Sequence, residues 1–244
     1  MPAPGLSPRH RPGKLPYVFL LVFSSMVAWV PPCTWAEDAP PAEDLHPELQ
    51  RLSPEANVWL DLAGRRVIVA GQVALAEGPI EFFACPRETK EHESVVVVDA
   101  SARLVHAALL AIGLTPGAPA SFSTTYQPAT GDPVAIEVRW QDGTSQRHTA
   151  AQNWVRDSCT GEQLASNWVF AGSQFWKDPQ SGIEYYQADG GDLVCVSNFP
   201  AAMLDLPIAS SDANEALLFE VFTERVPSRG TPVELVFSKA LTKK

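Results

Sequence analysis

Signatures of established chemistry are what this sequence has least of. Its 244 residues include only four cysteines and five histidines. No two cysteines stand at C-x-x-C spacing, which removes support for a structural zinc site or a thioredoxin-like redox motif. The G-x-S-x-G elbow, the dinucleotide G-x-G-x-x-G, the phosphate-cradling G-x-x-x-x-G-K-[ST] and the zinc-binding H-E-x-x-H are all absent. Basic charge is scarce too: 18 Lys and Arg stand against 28 Asp and Glu, a formal net charge of −10. That balance argues against a nucleic-acid binder, which needs a basic footprint on phosphate, and against docking on anionic lipid. No period of 20–50 residues repeats, so a propeller or solenoid is not expected.

What is present begins with an export pattern. Arg9, His10, Arg11 and Lys14 precede an apolar run from Tyr17 to Val30, and Thr34-Trp35-Ala36 offers a small-residue cleavage site. The run is about 14 residues and contains Ser24 and Ser25, whereas a spanning helix needs about 20. Residues 1–36 therefore read as a signal peptide, and the protein as exported to the periplasm or cell surface, with no transmembrane span after cleavage. An uncleaved anchor is the alternative. Val30-Pro31-Pro32 before Cys33 is a poor lipidation site. The first 36 residues hold three of the basic and none of the acidic residues, so the remaining 208 carry 15 against 28, a formal −13. Residues 37–57, rich in Pro, Ala, Asp and Glu, read as a linker. One domain is expected over 58–240.

The pattern of that domain is mostly period two. Val67, Val69 and Val73 alternate with other residues, Gly78-Pro79 marks a turn, and Ile80 to Ala84 reads as a partner strand. Val95 to Val98 is apolar at every position and predicts a strand covered on both faces. Val134 to Trp140 and Ser145 to Thr149 flank Asp142-Gly143, a hairpin turn. Further strands are expected at 168–171, 184–188, 192–197, 218–223 and 232–237. Leu104, Val105, Ala108, Leu109 and Ile112 share one helical face, Ser101 stands ready as N-cap, and Gly113 and Pro116 stop the helix, about 102–112. His106 falls on the opposite side, beside Arg103 and Leu110. Asp212 and Glu215 have capping-box spacing for a short second helix over 213–217. The fold expected is α+β and β-rich: a mainly antiparallel sheet or sandwich with one amphipathic helix packed on it.

Two regions could carry chemistry. Cys85 to Ser94 brings a thiol, an imidazole, several carboxylates and cations into one loop. There His92 and Glu93, with His106, form a metal-site candidate and, with Asp189 and Asp192, a ligand-binding candidate. A charged, solvated hairpin is the plain alternative. The second region interleaves Trp168, Phe170, Phe175, Trp176, Tyr185, Tyr186 and Phe199 with glycines and aspartates. Such rings either stack on sugars or peptides or fill the core. Asp189-Gly190-Gly191-Asp192 supplies only two carboxylates, too few for a calcium loop. After cleavage Cys85, Cys159 and Cys195 remain as possible disulfide partners, an odd set in an oxidising space.

The segment Val105-His106-Ala107-Ala108-Leu109-Leu110-Ala111-Ile112-Gly113-Leu114-Thr115-Pro116-Gly117 resembles the helix-to-turn signature of the YdjY-type domain of bacterial exported proteins. With Lys90-Glu91-His92-Glu93-Ser94, Phe170-Ala171-Gly172-Ser173 and Tyr186 to Asp192, the wider text is similar to the long form found in secreted planctomycete proteins. The likeness covers most of 60–237 and implies no particular activity. Some members of the wider family carry a G-C-x-x-C-x-x-x-C-P segment where this chain has Gly191 to Pro200. Of its cysteines only Cys195 is present here, with Asp192 and Phe199 in the other places. An iron–sulfur cluster normally takes four thiolates, so none is expected, and no other cofactor is implied. The expected function is a non-catalytic domain binding an envelope protein or small ligand. A metal-dependent hydrolase using His92, Glu93 and His106, or a structural envelope component, are the alternatives.

Overall fold

Each alternating stretch has one face to bury, and in the computed structural model of the protein these stretches form strands sharing a single interior. Residues 44–123, 125–209 and 218–241 are described. The elements are β1 (Gln50–Ser53), β2 (Ala56–Asp61), β3 (Arg66–Val73), β4 (Phe82–Pro86), β5 (Ser94–Val98), α1 (Ala102–Ala111), β6 (Pro133–Asp142), β7 (Ser145–Ala150) and β8 (Val155–Asp157). They continue with β9 (Trp168–Phe170), β10 (Phe175–Lys177), β11 (Glu184–Tyr186), β12 (Val194–Cys195), β13 (Leu204–Asp205), β14 (Phe219–Val221) and β15 (Pro232–Lys239). The helix expected over 213–217 lies outside the described residues.

The strands form a closed mixed barrel, not a sandwich. Around the ring the order is β3, β15, β6, β9, β13, β12, β4, β5 and back to β3. Most seams are antiparallel, as expected, but β4–β5 and β12–β13 are parallel. Closure occurs on one edge of β3, where Arg66–Val69 pairs with β2 and Gly71–Val73 pairs with β5. Gly71 makes this possible: a Cβ there would stand 2.3 Å from the Val97 carbonyl oxygen. The backbones of β3 and β5 meet only because that position has no side chain. Length and pattern alone do not distinguish a closed ring from two stacked sheets, since both demand alternating inward residues.

One apolar cluster fills the interior, with Val69, Val96, Val138, Phe170, Leu235 and Phe237 among its members. Val105, Ala108 and Leu109 of α1 join it, so the helical stripe buries against the strands' inner residues. Ser101 caps the helix by accepting from Leu104 N at 3.3 Å. Strand β5, Ser94 followed by four valines, is buried at every position because its outer face is also covered: Val97 packs with Ala74 and Cys85.

The outer face of β2, β3 and β15 presents Trp59, Ile68 and Val236, which need a cover. Leu49 packs on them. Trp59 Nε1 donates to Asp44 Oδ1 at 2.7 Å, His46 sits edge-on to the Trp59 ring, and His46 Nε2 lies 2.6 Å from Glu234 Oε1. The latter part of the stretch read as linker is thus packed against the barrel, and its Gln50–Ser53 is a strand paired with β2.

Candidate functional site

The parallel pairing of β4 with β5 sets the geometry of the charged loop. Phe82 lies beside Ser94 and Pro86 beside Val98, so the chain leaving Pro86 must run back along β4 within Arg87–Glu93. Parallel neighbours normally take a crossover of about a dozen residues. Here a tight return suffices, with Glu88 in the left-handed region at φ 64° and a 3-10 turn over Glu91–Glu93. The Glu91 carboxylate accepts from Glu88 N, and Ser94 Oγ donates to Lys90 O at 2.7 Å. The loop is held by its own polar groups, and it throws Lys90 across the barrel wall.

Lys90 lies along Gly191, where a Cβ would meet its Cγ and Cδ at 2.6 Å; Gly191 also has φ 129°. Lys90 Nζ then sits 3.4 Å from Asp192 Oδ1 and 4.3 Å from the centre of the Phe82 ring, which stacks on Phe199. Glu81, 7% exposed, and Glu93 face the same place. Burial, the hydrogen bond that the protonated Glu81 carboxyl donates to Glu93, and the Glu93 charge raise Glu81 to about 7, while Lys90 opposes the shift. Burial also raises Asp192, outweighing the neighbouring ammonium. His92, exposed, holds Glu93 Oε1 at 2.9 Å. Three carboxyl groups and one cation thus share a half-dry site.

Of the residues singled out from sequence, His92, Glu93 and Asp192 meet at this cluster. Glu81 and Lys90 were missed, although an acid inside the run Ile80-Glu81-Phe82-Phe83-Ala84 is itself a signal. His106 belongs elsewhere. Its Nδ1 is 2.7 Å from Tyr186 Oη, its ring stands edge-on to Phe170, and the Tyr186 hydroxyl donates to Gly172 O at 2.9 Å. Because that hydroxyl proton is spent on Gly172, Nδ1 carries the ring proton, and burial lowers the His106 pKa. The ring is a neutral structural link. Among the described residues no three His, Cys, Asp or Glu side chains form a group able to hold a metal, so His92, Glu93 and His106 do not constitute one. Asp189 is a helix cap: Oδ1 accepts from Arg103 N at 2.9 Å and Oδ2 pairs with the Arg103 guanidinium at 3.0 Å.

The cysteines considered as disulfide partners are free thiols. Cys85 packs with Ala74 and Val97, Cys195 with Phe82 and Ala202, and Cys159 is exposed, so each sits in a different environment. Burial pushes both buried thiols up, removing any nucleophile from Cys85.

Beside the cluster runs an open groove of about 860 Å³ where the β1–β2 turn, the ends of β4 and β5 and the start of α1 converge. Pro86, Val98 and Leu104 contribute apolar surface. Arg87 and Arg103 stand on its rim, paired with Asp99 and Asp189. Among the described residues no helix is long and apolar enough to cross a membrane.

No curated protein and no solved structure matches the chain. The model of the YdjY domain matches residues 58–238, from the third residue of β2 to the next-to-last residue of β15, and on that match the chain belongs to the YdjY domain family.

Proposed function

We propose that the protein is an exported, non-catalytic binding domain of the cell envelope that holds an amphipathic partner in the groove at the start of α1. The observation that carries this reading is the groove itself: a concavity of about 860 Å³ with Pro86, Val98, Leu104 and Ala107 offering apolar surface between two rim arginines. Arg87 and Arg103 are already paired with carboxylates, which holds their guanidinium planes in place for a second, incoming acceptor. The neighbouring charges support binding over catalysis. Lys90 is answered by Asp192 and Glu93 by His92, so these groups are engaged with one another.

The test is a photoreactive amino acid placed at Leu104 or Ala107 in the full chain, exported in a bacterial host and irradiated there, with Gln146 on exposed β7 as the control position. Adducts of one mass from both groove positions, lost on adding Arg103→Glu, are expected. Equal labelling from Gln146, or none from the groove, would overturn the reading.

A further inference from the structure

A second surface has the opposite character. The segment Gly117–Ser123 and the residues Ser173, Gln174 and Pro200 enclose a groove of about 780 Å³. In a chain that is 19% charged, none of the ten residues lining it carries a charge. Its polar groups are hydroxyls and one carboxamide, those of Ser121, Ser123, Ser173 and Gln174, and its aromatic is Phe122. Ser173 adopts φ 56°, a conformation rare outside glycine. It is held there by Oγ donating to Ala201 O at 2.6 Å and accepting from Ala188 N at 3.1 Å. Residues fixed in such conformations concentrate at ligand clamps.

Gln174 leads directly into the β10–β11 ribbon. Trp176 lies across from Tyr185, with ring centres 5.9 Å apart and planes inclined by 31°. Both rings are about half exposed, as is Ile183, which alternation places on the same face. The charged pair Lys177 and Glu184 falls on the other face. Two large rings stand beside one another in solvent, and the one charged group that the same alternation places on this face, Asp178, has its carboxylate engaged by Gln180 N and Ser181 Oγ at the end of the ribbon; among the described residues nothing covers the rings. Scattered exposed apolar residues are ordinary; a contiguous aromatic face is a binding surface.

We infer that this uncharged groove and the Trp176–Tyr185 platform together bind a neutral oligosaccharide. Pyranose C–H faces stack on aromatic rings, and sugar hydroxyls both donate to and accept from Ser side chains and donate to carboxamide oxygens; Ser121, Ser123 and the oxygen of Gln174, whose Nε2 donates to Pro200 O, supply these groups. A polyanion is disfavoured by the formal −13 of the chain beyond residue 36 and by the lack of any cation in the groove. This surface is separate from the groove at α1, so its failure leaves that proposal standing.

The test titrates the full exported chain with chitotetraose, cellotetraose and maltotetraose, and with heparin as the charged control, following tryptophan fluorescence and heat. At least one neutral oligosaccharide is expected to bind. Trp176→Ala should weaken it about tenfold and Trp176→Phe by a smaller factor, the loss of one stacked ring. Arg103→Ala, in the other groove, should leave it unchanged. Three results would overturn the inference: no neutral oligosaccharide bound at roughly millimolar concentration, a binding constant indifferent to Trp176→Ala and Tyr185→Ala, or self-association that these substitutions abolish, which would make the platform a contact between copies of the chain.

Discussion

Replacing Asp205 by asparagine should flatten the pH dependence of stability, and the size of the change follows from how the group is held. Asp205 in β13 is fully buried. Its Oδ1 accepts from Asn198 Nδ2 at 3.0 Å and Leu206 N at 2.8 Å, whereas Oδ2 has no hydrogen-bond partner among the described residues. Burial wins over those bonds and raises the carboxyl from 3.8 to about 7. The folded chain therefore binds this proton more tightly than the unfolded chain does. The stabilisation is complete below the unfolded pKa and is lost as pH rises through the folded one, between about 4 and 7. Three units at about 1.4 kcal/mol each set an upper bound of about 4 kcal/mol. Asn mimics the neutral acid, so Asp205→Asn should gain on wild type as pH is raised from 4 to about 7 and then hold that gain to pH 8. The assay is urea denaturation followed by tryptophan fluorescence at several pH values. Other carboxylates tilt the wild-type curve the opposite way: Asp61 and Asp132 are held low by hydrogen bonds to Gly64 N and Lys239, and their contribution is lost as pH falls. The difference between the two proteins cancels them. A difference that stays constant from pH 4 to 8 would refute the buried-acid argument.

Further expectations concern the cluster, the seam and the thiols. Lys90→Met keeps the stem on Gly191 but removes the cation from among Glu81, Glu93 and Asp192; it should cost about 3 kcal/mol in denaturation and drive the Glu81 and Asp192 titrations seen by carbon NMR still higher. Gly71→Ala drives a Cβ into the Val97 carbonyl and should open the β3–β5 seam, seen as loss of amide protection in β5, whereas Gly143→Ala in the β6–β7 turn, where a Cβ meets nothing, should cost only about 1 kcal/mol. Of Cys85, Cys159 and Cys195, only Cys159 should react with a thiol reagent in the native protein lacking residues 1–36, with the other two appearing on unfolding.

Much of the fold was readable because burial leaves a periodic trace. The stripe at 104, 105, 108, 109 and 112, the cap at Ser101 and the Asp142-Gly143 hairpin each became the element they imply. The valine run became a strand covered on both faces. Closure did not show, because it depends on Gly71 meeting β5 across long separation in the chain, and pairing partners are not written in period. The aromatic segment divided in two: Trp168, Phe170 and Tyr186 went into the core, while Phe175, Trp176 and Tyr185 stayed in solvent. Alternation within 184–186 separates Tyr185 from Tyr186 but does not say which side is wet. The candidate site was half legible for a similar reason. His92 and Glu93 are adjacent in the chain, but Glu81 reaches them only through the return loop. His106, bonded to Tyr186 and standing against Phe170, is like them in residue type but not in position.

The turn Asp189-Gly190-Gly191-Asp192 ties these parts into one mechanical unit. Its first carboxylate caps α1 through Arg103, its second glycine gives Lys90 a place to lie, and its last carboxylate receives the Lys90 charge. Arg103 and Asp189 also line the groove at the start of α1. A change at the Lys90 cluster therefore has a short path to the rim: displacing Asp192 strains Gly191, and Gly191 is two residues from the cap that orients Arg103. Because Glu81 titrates near 7, the charge balance on Lys90 changes in the same range. Affinity at the groove should accordingly fall from pH 6 to pH 8 in wild type and vary less in Glu81→Gln, whose side chain stays neutral throughout. The same fall in both proteins would show that the turn does not transmit the charge.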